Sequence, residues 1–186
     1  MKHASIFWFT GLSGSGKSSV AEGVKVKLAS LGYAVRIIDG DEVRATFNRH
    51  LGFSERDIET NNCLIADLGA SCRGNFDVIL VPIISPLIRL RSMARKRLAE
   101  PFYEVYFNAD LACVSARDVK GLYAKASRNE IINLIGYSDA NPYEVPINPD
   151  FVVESGQQTL DVSIDGFLRF ISIISKVSRR KHDEHP

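Results

Sequence analysis

One run, Gly11-Leu12-Ser13-Gly14-Ser15-Gly16-Lys17-Ser18, constrains this chain more than any other feature. It fits the pattern glycine, four residues, glycine, lysine, serine or threonine at every fixed position. An apolar run, Ile6-Phe7-Trp8-Phe9, precedes it and a helical pattern follows, so its context is strand, loop, helix. Glycines let such a loop curl until successive N–H groups point at one phosphate chain. The helix that opens near Lys17 adds its positive dipole end. The expectation is a nucleoside triphosphate cradle made of Gly11, Ser13, Gly14, Ser15, Gly16, Lys17, Ser18 and Ser19. Lys17 would reach the β- and γ-phosphates and Ser18 would hold Mg²⁺. A dinucleotide fingerprint does not fit, because from Gly14 it would need glycine at Ser19.

Around this loop the chain alternates strand and helix signals. Strands are predicted over Ser5–Phe9, Ala34–Ile38, Asp77–Ile84, Tyr103–Phe107 and Phe151–Val153. Val20, Val24, Leu28 and Leu31 share one face of the first helix, which Gly32 should stop. Val78-Ile79-Leu80-Val81 is continuously apolar, as a strand covered on both faces must be. The pattern predicts an α/β fold, a parallel sheet of about five strands with helices on both faces. Ligands then gather at the carboxyl ends of the strands. A last helix, about Leu160 to Val177, is apolar over more than one stripe: Ile164, Leu168 and Ile171, broadened by Phe167, Phe170, Ile174 and Val177. It either docks deeply or offers a dimer surface. We expect one domain over residues 1–178 and a disordered tail over 179–186.

Bulk properties narrow the partners. The chain has 186 residues and a net charge of +1, which gives no reason to expect a nucleic-acid partner. No apolar run approaches the ~18 residues that span a bilayer, so no membrane partner is expected. Met1-Lys2-His3-Ala4 leads straight into the first strand, which predicts no signal peptide and a cytoplasmic protein. Cys63, Cys72 and Cys113 lack metal-ligand spacing and are expected to be free thiols.

The second informative stretch is Ile38-Asp39-Gly40-Asp41-Glu42-Val43-Arg44, at the end of the second predicted strand. Phosphoryl transfer needs a carboxylate near the acceptor hydroxyl and the metal. Asp41 is the candidate that orients and deprotonates the acceptor and reaches Mg²⁺ through water, with Asp39 as its support. The same residues could form an ordinary turn with a helix cap at Asp41. Arg44, one turn beyond Asp41, can present a guanidinium to an acceptor phosphate.

Asp39-Gly40-Asp41-Glu42-Val43-Arg44 and Asn48-Arg49-His50-Leu51-Gly52-Phe53-Ser54 resemble the adenylylsulfate kinases. So do Ile84-Ser85-Pro86, Arg117-Asp118-Val119-Lys120-Gly121-Leu122-Tyr123 and Asn141-Pro142-Tyr143-Glu144, in the family's order. The resemblance implies a P-loop kinase fold, usually dimeric. It implies transfer of the γ-phosphoryl of ATP to the 3′-hydroxyl of adenosine 5′-phosphosulfate, giving 3′-phosphoadenosine 5′-phosphosulfate. It places Arg117 near the donor adenine and Lys120 and Leu122 at the start of a lid. Arg44, Phe53, Asn61, Ile84, Ser85, Lys120, Leu122 and Leu134 become acceptor contacts beside Asp39 and Asp41. Phe53 would offer an aromatic face to a nucleobase. Ser85 is sometimes given as a phosphoryl carrier in this family. In-line transfer between two bound nucleotides needs no covalent stop, so a hydrogen-bonding Ser85 is expected.

Two departures fall on the acceptor side. The family pattern has arginine where this chain has Ile58, and a basic pair where it has Cys63-Leu64. It has phenylalanine where this chain has Leu134, and a shorter segment before Pro142 than Ser138-Asp139-Ala140-Asn141. Tyr137 is the neighbouring aromatic that could take the phenylalanine's place. These changes leave three readings open: an adenylylsulfate kinase, the same chemistry on another activated nucleotide such as cytidine 5′-diphosphoramidate, and a non-catalytic nucleotide-binding module.

Overall fold

The computed structural model describes residues 4–183, the last helix beyond residue 174 by its backbone alone. Five strands, β1 (Ser5–Thr10), β2 (Val35–Ile37), β3 (Val78–Pro82), β4 (Phe102–Phe107) and β5 (Phe151–Val153), form one parallel sheet in the order β2-β3-β1-β4-β5. The five strands fall where the pattern placed them, with two shortened. β2 loses a residue at each end of the predicted Ala34–Ile38, and β3 stops at Pro82 rather than Ile84. Pairing with β2 ends at Leu80 and with β1 at Pro82, and three residues on Ser85 takes a positive φ of 44°, a left-handed angle that no strand continues.

β1 is the centre of the sheet and alternates its side chains between two cores. Phe7 and Phe9 face α1 (Lys17–Ser30) and α7 (Leu160–Asp183), where Val20, Val24, Leu28, Ile164, Phe167 and Ile171 are buried. Ile6 and Trp8 face α3 (Glu55–Cys72) and α4 (Ile88–Leu98), meeting Ile65, Ala66, Ala94 and Leu98. Helices thus cover both faces. The last helix docks deeply: Leu168, Phe170 and Ile174 add a partly buried flank, and Phe170 stacks on Phe151 at 4.8 Å. The Val177 side chain lies outside the described residues, as do residues 184–186 of the tail, while the helix itself continues to Asp183.

One residue of the predicted α1 face departs. Leu31 is exposed because the helix has already ended: Tyr33 N–H bonds the Leu28 carbonyl, Gly32 N–H bonds that of Ala29, and Gly32 takes φ 84°. That closure turns Leu31 off the apolar stripe.

The topology locates the site. From β1 the chain passes first to β2 and β3 on one side, then to β4 and β5 on the other. The carboxyl end of β1 is therefore the point where strand order reverses and a crevice opens. The loop from Gly11 to Gly16 leaves β1 there.

Candidate active site

The phosphate loop is shaped by its glycines. A Cβ on Gly11 would lie 2.8 Å from the Phe107 carbonyl oxygen, and Gly16 caps α1 at φ 90°. Ser15 is fully buried beneath the loop, while Ser18 and Ser19 are exposed on the first turn of α1. Tyr123 braces the loop from the side, its hydroxyl donating to the Ser13 carbonyl at 2.9 Å. Burial from solvent raises that phenol to about 12.

Lys17 is folded over this loop. Its Nζ donates to the carbonyls of Gly11 (2.8 Å) and Leu12 (2.7 Å) and to Ser15 Oγ (3.2 Å). Desolvation lowers the amine from its ordinary 10.5 to about 7, against the opposing pull of Asp41.

Asp39 and Asp41 divide their work. Asp39 caps α2 (Gly40–Phe47): its Oδ1 accepts from the N–H groups of Asp41 (2.8 Å) and Glu42 (3.4 Å). Its other oxygen accepts from Ser18 Oγ at 2.7 Å, so one carboxylate ties α1 to α2. The N-cap foreseen at Asp41 is thus at Asp39. Asp41 is left at the mouth of the loop, paired with Lys120.

Two cavities meet at that pair. One, of 140 Å³, is lined by Ser13, Gly14, Gly16, Lys17, Ser18, Ser19 and Asp41, with Ile84 and Lys120 opposite. The other, of 480 Å³, is lined by Asp41, Arg44, Phe53, Ile84, Lys120, Leu122, Leu134 and Ile135. Ser13, Asp41, Ile84 and Lys120 belong to both. Arg44 sits 4.8 Å above the Phe53 ring and donates to the Gly52 carbonyl at 2.7 Å, forming a flat charged plate on the cavity wall. Its burial lowers the guanidinium's pKa, opposed by Asp41 and Asp57. Beside it the Asp57 carboxyl is held low, chiefly by the hydroxyl of Ser54.

Not every candidate reaches these two cavities. Ser85 and Asn61 line a smaller cavity of 50 Å³ that shares Asp41, Arg44 and Phe53 with the larger one. Asn61 Oδ1 is engaged by Asn48 Nδ2 at 2.9 Å, which braces the connection between α2 and α3. Ser85 Oγ and Asn62 Oδ1, both buried, have no hydrogen-bond partner among the described residues and line the same small space. Arg117, at the end of α5 (Leu111–Arg117), donates to the Ser155 carbonyl at 2.7 Å and lines none of these three cavities.

The two departures also have locations. Ile58 is buried with Leu90 and Ile135, so the residue in the arginine's place is part of an apolar cluster. Leu134 packs with Leu12 and Tyr123 and shows one flank to the large cavity. Tyr137 does not replace the missing aromatic. It turns edge-on to Tyr123 at 6.1 Å and lines a different cavity, beside Asn108, Tyr106 and Tyr143.

A phosphate loop at the reversal point of a parallel sheet, opening through one carboxylate onto a second pocket, defines a P-loop kinase. The sequence matches the family described as adenylylsulphate kinase over residues 3–154. It is 38% identical to an adenylyl-sulfate kinase of Paraburkholderia xenovorans over 93% of this chain and 96% of that one. It is 42% identical to one of Halothermothrix orenii, over 88% and 87%. The structure superposes with TM-score 0.85 on the Mycobacterium tuberculosis APS kinase solved with AMPPNP and APS, at 36% identity, covering 92% of this chain and 99% of that one. The chain belongs to the adenylylsulphate kinase family.

Proposed function

We propose that this protein transfers the γ-phosphoryl of ATP to the 3′-hydroxyl of adenosine 5′-phosphosulfate. One observation carries the reading: the phosphate-loop cavity and the acceptor-side cavity share Asp41 and Lys120, so a donor phosphate and an acceptor hydroxyl would meet at one carboxylate. The relative solved with AMPPNP and APS supports the choice of both nucleotides.

In this reading the N–H groups of Gly14 to Ser18 hold the donor phosphates, and Lys17 swings from the loop carbonyls to the β- and γ-phosphates. Arg117 borders the donor adenine. Asp41 holds the 3′-hydroxyl in line and takes its proton as the new bond forms. Asp39 keeps Asp41 and Ser18 in register. Arg44, Phe53, Leu134, Leu122, Ile84 and Ser85 hold the acceptor, with Ser85 as a hydrogen-bond donor and Asn61 behind it.

A magnesium ion is part of the proposal. Ser18 and, through water, Asp41 are hard oxygen donors at the mouth of the phosphate cavity, the donor type magnesium takes beside substrate phosphates. When bound, the ion would neutralise charge on the transferring phosphate. The protein is also proposed to act as a homodimer in the cytoplasm. The dimer follows from the family resemblance, and the cytoplasmic setting suits three free cysteines.

Leu134 favours a second reading, since an aliphatic side chain on the cavity wall offers no aromatic face to sandwich a purine and suits a smaller pyrimidine. It is the same transfer to another activated nucleotide, such as cytidine 5′-diphosphoramidate in capsular polysaccharide modification. Incubation with Mg·ATP and single acceptors, following ADP release and the 3′-phosphorylated product, separates the two. Turnover confined to a cytidine diphosphate derivative would overturn the first reading. ATP binding without turnover of any nucleotide would overturn both.

A further inference from the structure

Arg91 is 1% exposed and is among the largest fully buried side chains of the protein. A guanidinium so placed must spend its donors on fixed partners. Its Nε meets Glu104 Oε1 at 2.7 Å, which balances the charge. Three of its four other donors go to backbone carbonyls: Ser85 (2.8 Å), Pro86 (3.1 Å) and Glu144 (2.8 Å). Two belong to the loop that carries Ile84 and Ser85 to the acceptor side. The third belongs to a strap formed by Asn141-Pro142-Tyr143-Glu144.

That strap holds the same loop from its other side. Glu144 N–H bonds the Pro86 carbonyl at 2.9 Å, and its carboxylate accepts from Ile88 N–H at 2.6 Å. Tyr143 shares a hydrogen bond with Thr10 Oγ1 at 2.8 Å, and Thr10 in turn donates to the Ile84 carbonyl at 2.7 Å. The loop needs this restraint. Ser85 has φ 44°, a left-handed angle that is unfavourable for a non-glycine residue and persists only where its surroundings impose it. In that conformation the Ser85 carbonyl is turned to Arg91, and its residue lines the small cavity beside Asp41 and Arg44.

We propose that Arg91 is a positioning residue for the acceptor. It locks the Ile84–Pro86 loop to the strap at Glu144 and so sets where the acceptor nucleotide sits relative to Asp41. The inference rests on the kinase reading above. No other residue type supplies the flat fork that serves three carbonyls and a carboxylate from one buried position; a lysine ammonium has three donors and no fixed plane.

Arg73 provides the control. It is a second buried arginine with carbonyl partners, Ala4 (3.1 Å), Leu98 and Pro101 (2.9 Å), at the opposite end of the sheet. Arg91→Lys and Arg73→Lys are compared for melting temperature, for affinity toward an ATP analogue, and for acceptor KM and kcat. Both variants are expected to melt lower. Arg91→Lys should raise the acceptor KM about tenfold or more, the scale of a lost charged hydrogen bond, with ATP affinity within about twofold of wild type. Arg73→Lys should leave the acceptor KM unchanged. Equal acceptor effects in both variants, or none in Arg91→Lys, would overturn the proposal. If Arg91→Lys does not fold, Glu104→Gln, which keeps an oxygen for Nε without the charge, should shift the acceptor KM the same way by a few-fold; an unchanged KM there refutes it. Calorimetric binding of the acceptor beside a non-hydrolysable ATP analogue reads the same comparison without turnover. A wild type that binds the acceptor and never phosphorylates it would therefore count against the kinase reading and leave the role of Arg91 to be decided by binding.

Discussion

Lys17 should take up a proton when ATP binds, and pH is the perturbation that exposes it. In the ligand-free protein the amine is buried against the loop carbonyls and titrates at about 7. Among phosphate oxygens the charged form is favoured, and the value should return toward its ordinary 10.5. At pH 8 roughly one molecule in eleven then carries the proton before binding and nearly all carry it after, so binding draws about 0.9 proton from solvent. ATP is fully deprotonated there and does not contribute. The sign follows: affinity must fall as pH rises, by about ninefold between pH 8 and pH 9, because the proton has to be taken from an ever poorer source. Titration calorimetry with magnesium and a non-hydrolysable ATP analogue, run at pH 8 in two buffers of different ionisation enthalpy, counts the protons directly. Lys17→Arg, whose guanidinium stays charged throughout, should show no uptake. A wild type with no uptake at pH 8, or a Lys17→Arg variant with the same uptake, would refute this account of the loop.

Other outcomes follow from single residues. Asp41→Ala should lower kcat by at least ~100-fold, the usual scale for a general base, while ATP binding persists; an active variant would remove Asp41 from the chemistry. Ile58→Arg should raise kcat/KM for adenosine 5′-phosphosulfate about tenfold, the low end for a charged hydrogen bond. No gain in steady-state kinetics would mean that the missing guanidinium does not limit this site. Gly11→Ala should abolish ATP binding and lower the melting temperature, because its Cβ would sit 2.8 Å from a β4 carbonyl oxygen; wild-type affinity in that variant would contradict the geometry of the loop.

Local order was legible because it is locally encoded. Glycine, lysine and serine at fixed spacing specify the phosphate loop, since the backbone angles that aim N–H groups at a phosphate are available mainly to glycine. Apolar alternation and helical stripes placed all five strands and the docked face of α7. Even the departures at Ile58 and Leu134 were visible as residues out of pattern. What stayed hidden depends on groups distant in the chain. Asp39, and not Asp41, caps α2, a choice made when its second oxygen meets Ser18 across 21 residues. Tyr137 lines a different cavity from Leu134, a placement set by its contact with Tyr123, 14 residues earlier in the chain. Arg91 gave no signal at all among Arg89, Arg95 and Arg97, although Asn141-Pro142-Tyr143-Glu144, its partner strap, stood out as a motif without a role. A sequence lists an arginine's charge but not its burial, and only the packing of α4 against β4 and the strap turns one of four similar residues inward. The chain alone determined that a phosphate would be held at the end of β1. The tertiary structure decided what stands across from it, because a pocket is made by residues that meet only after the sheet has closed around them.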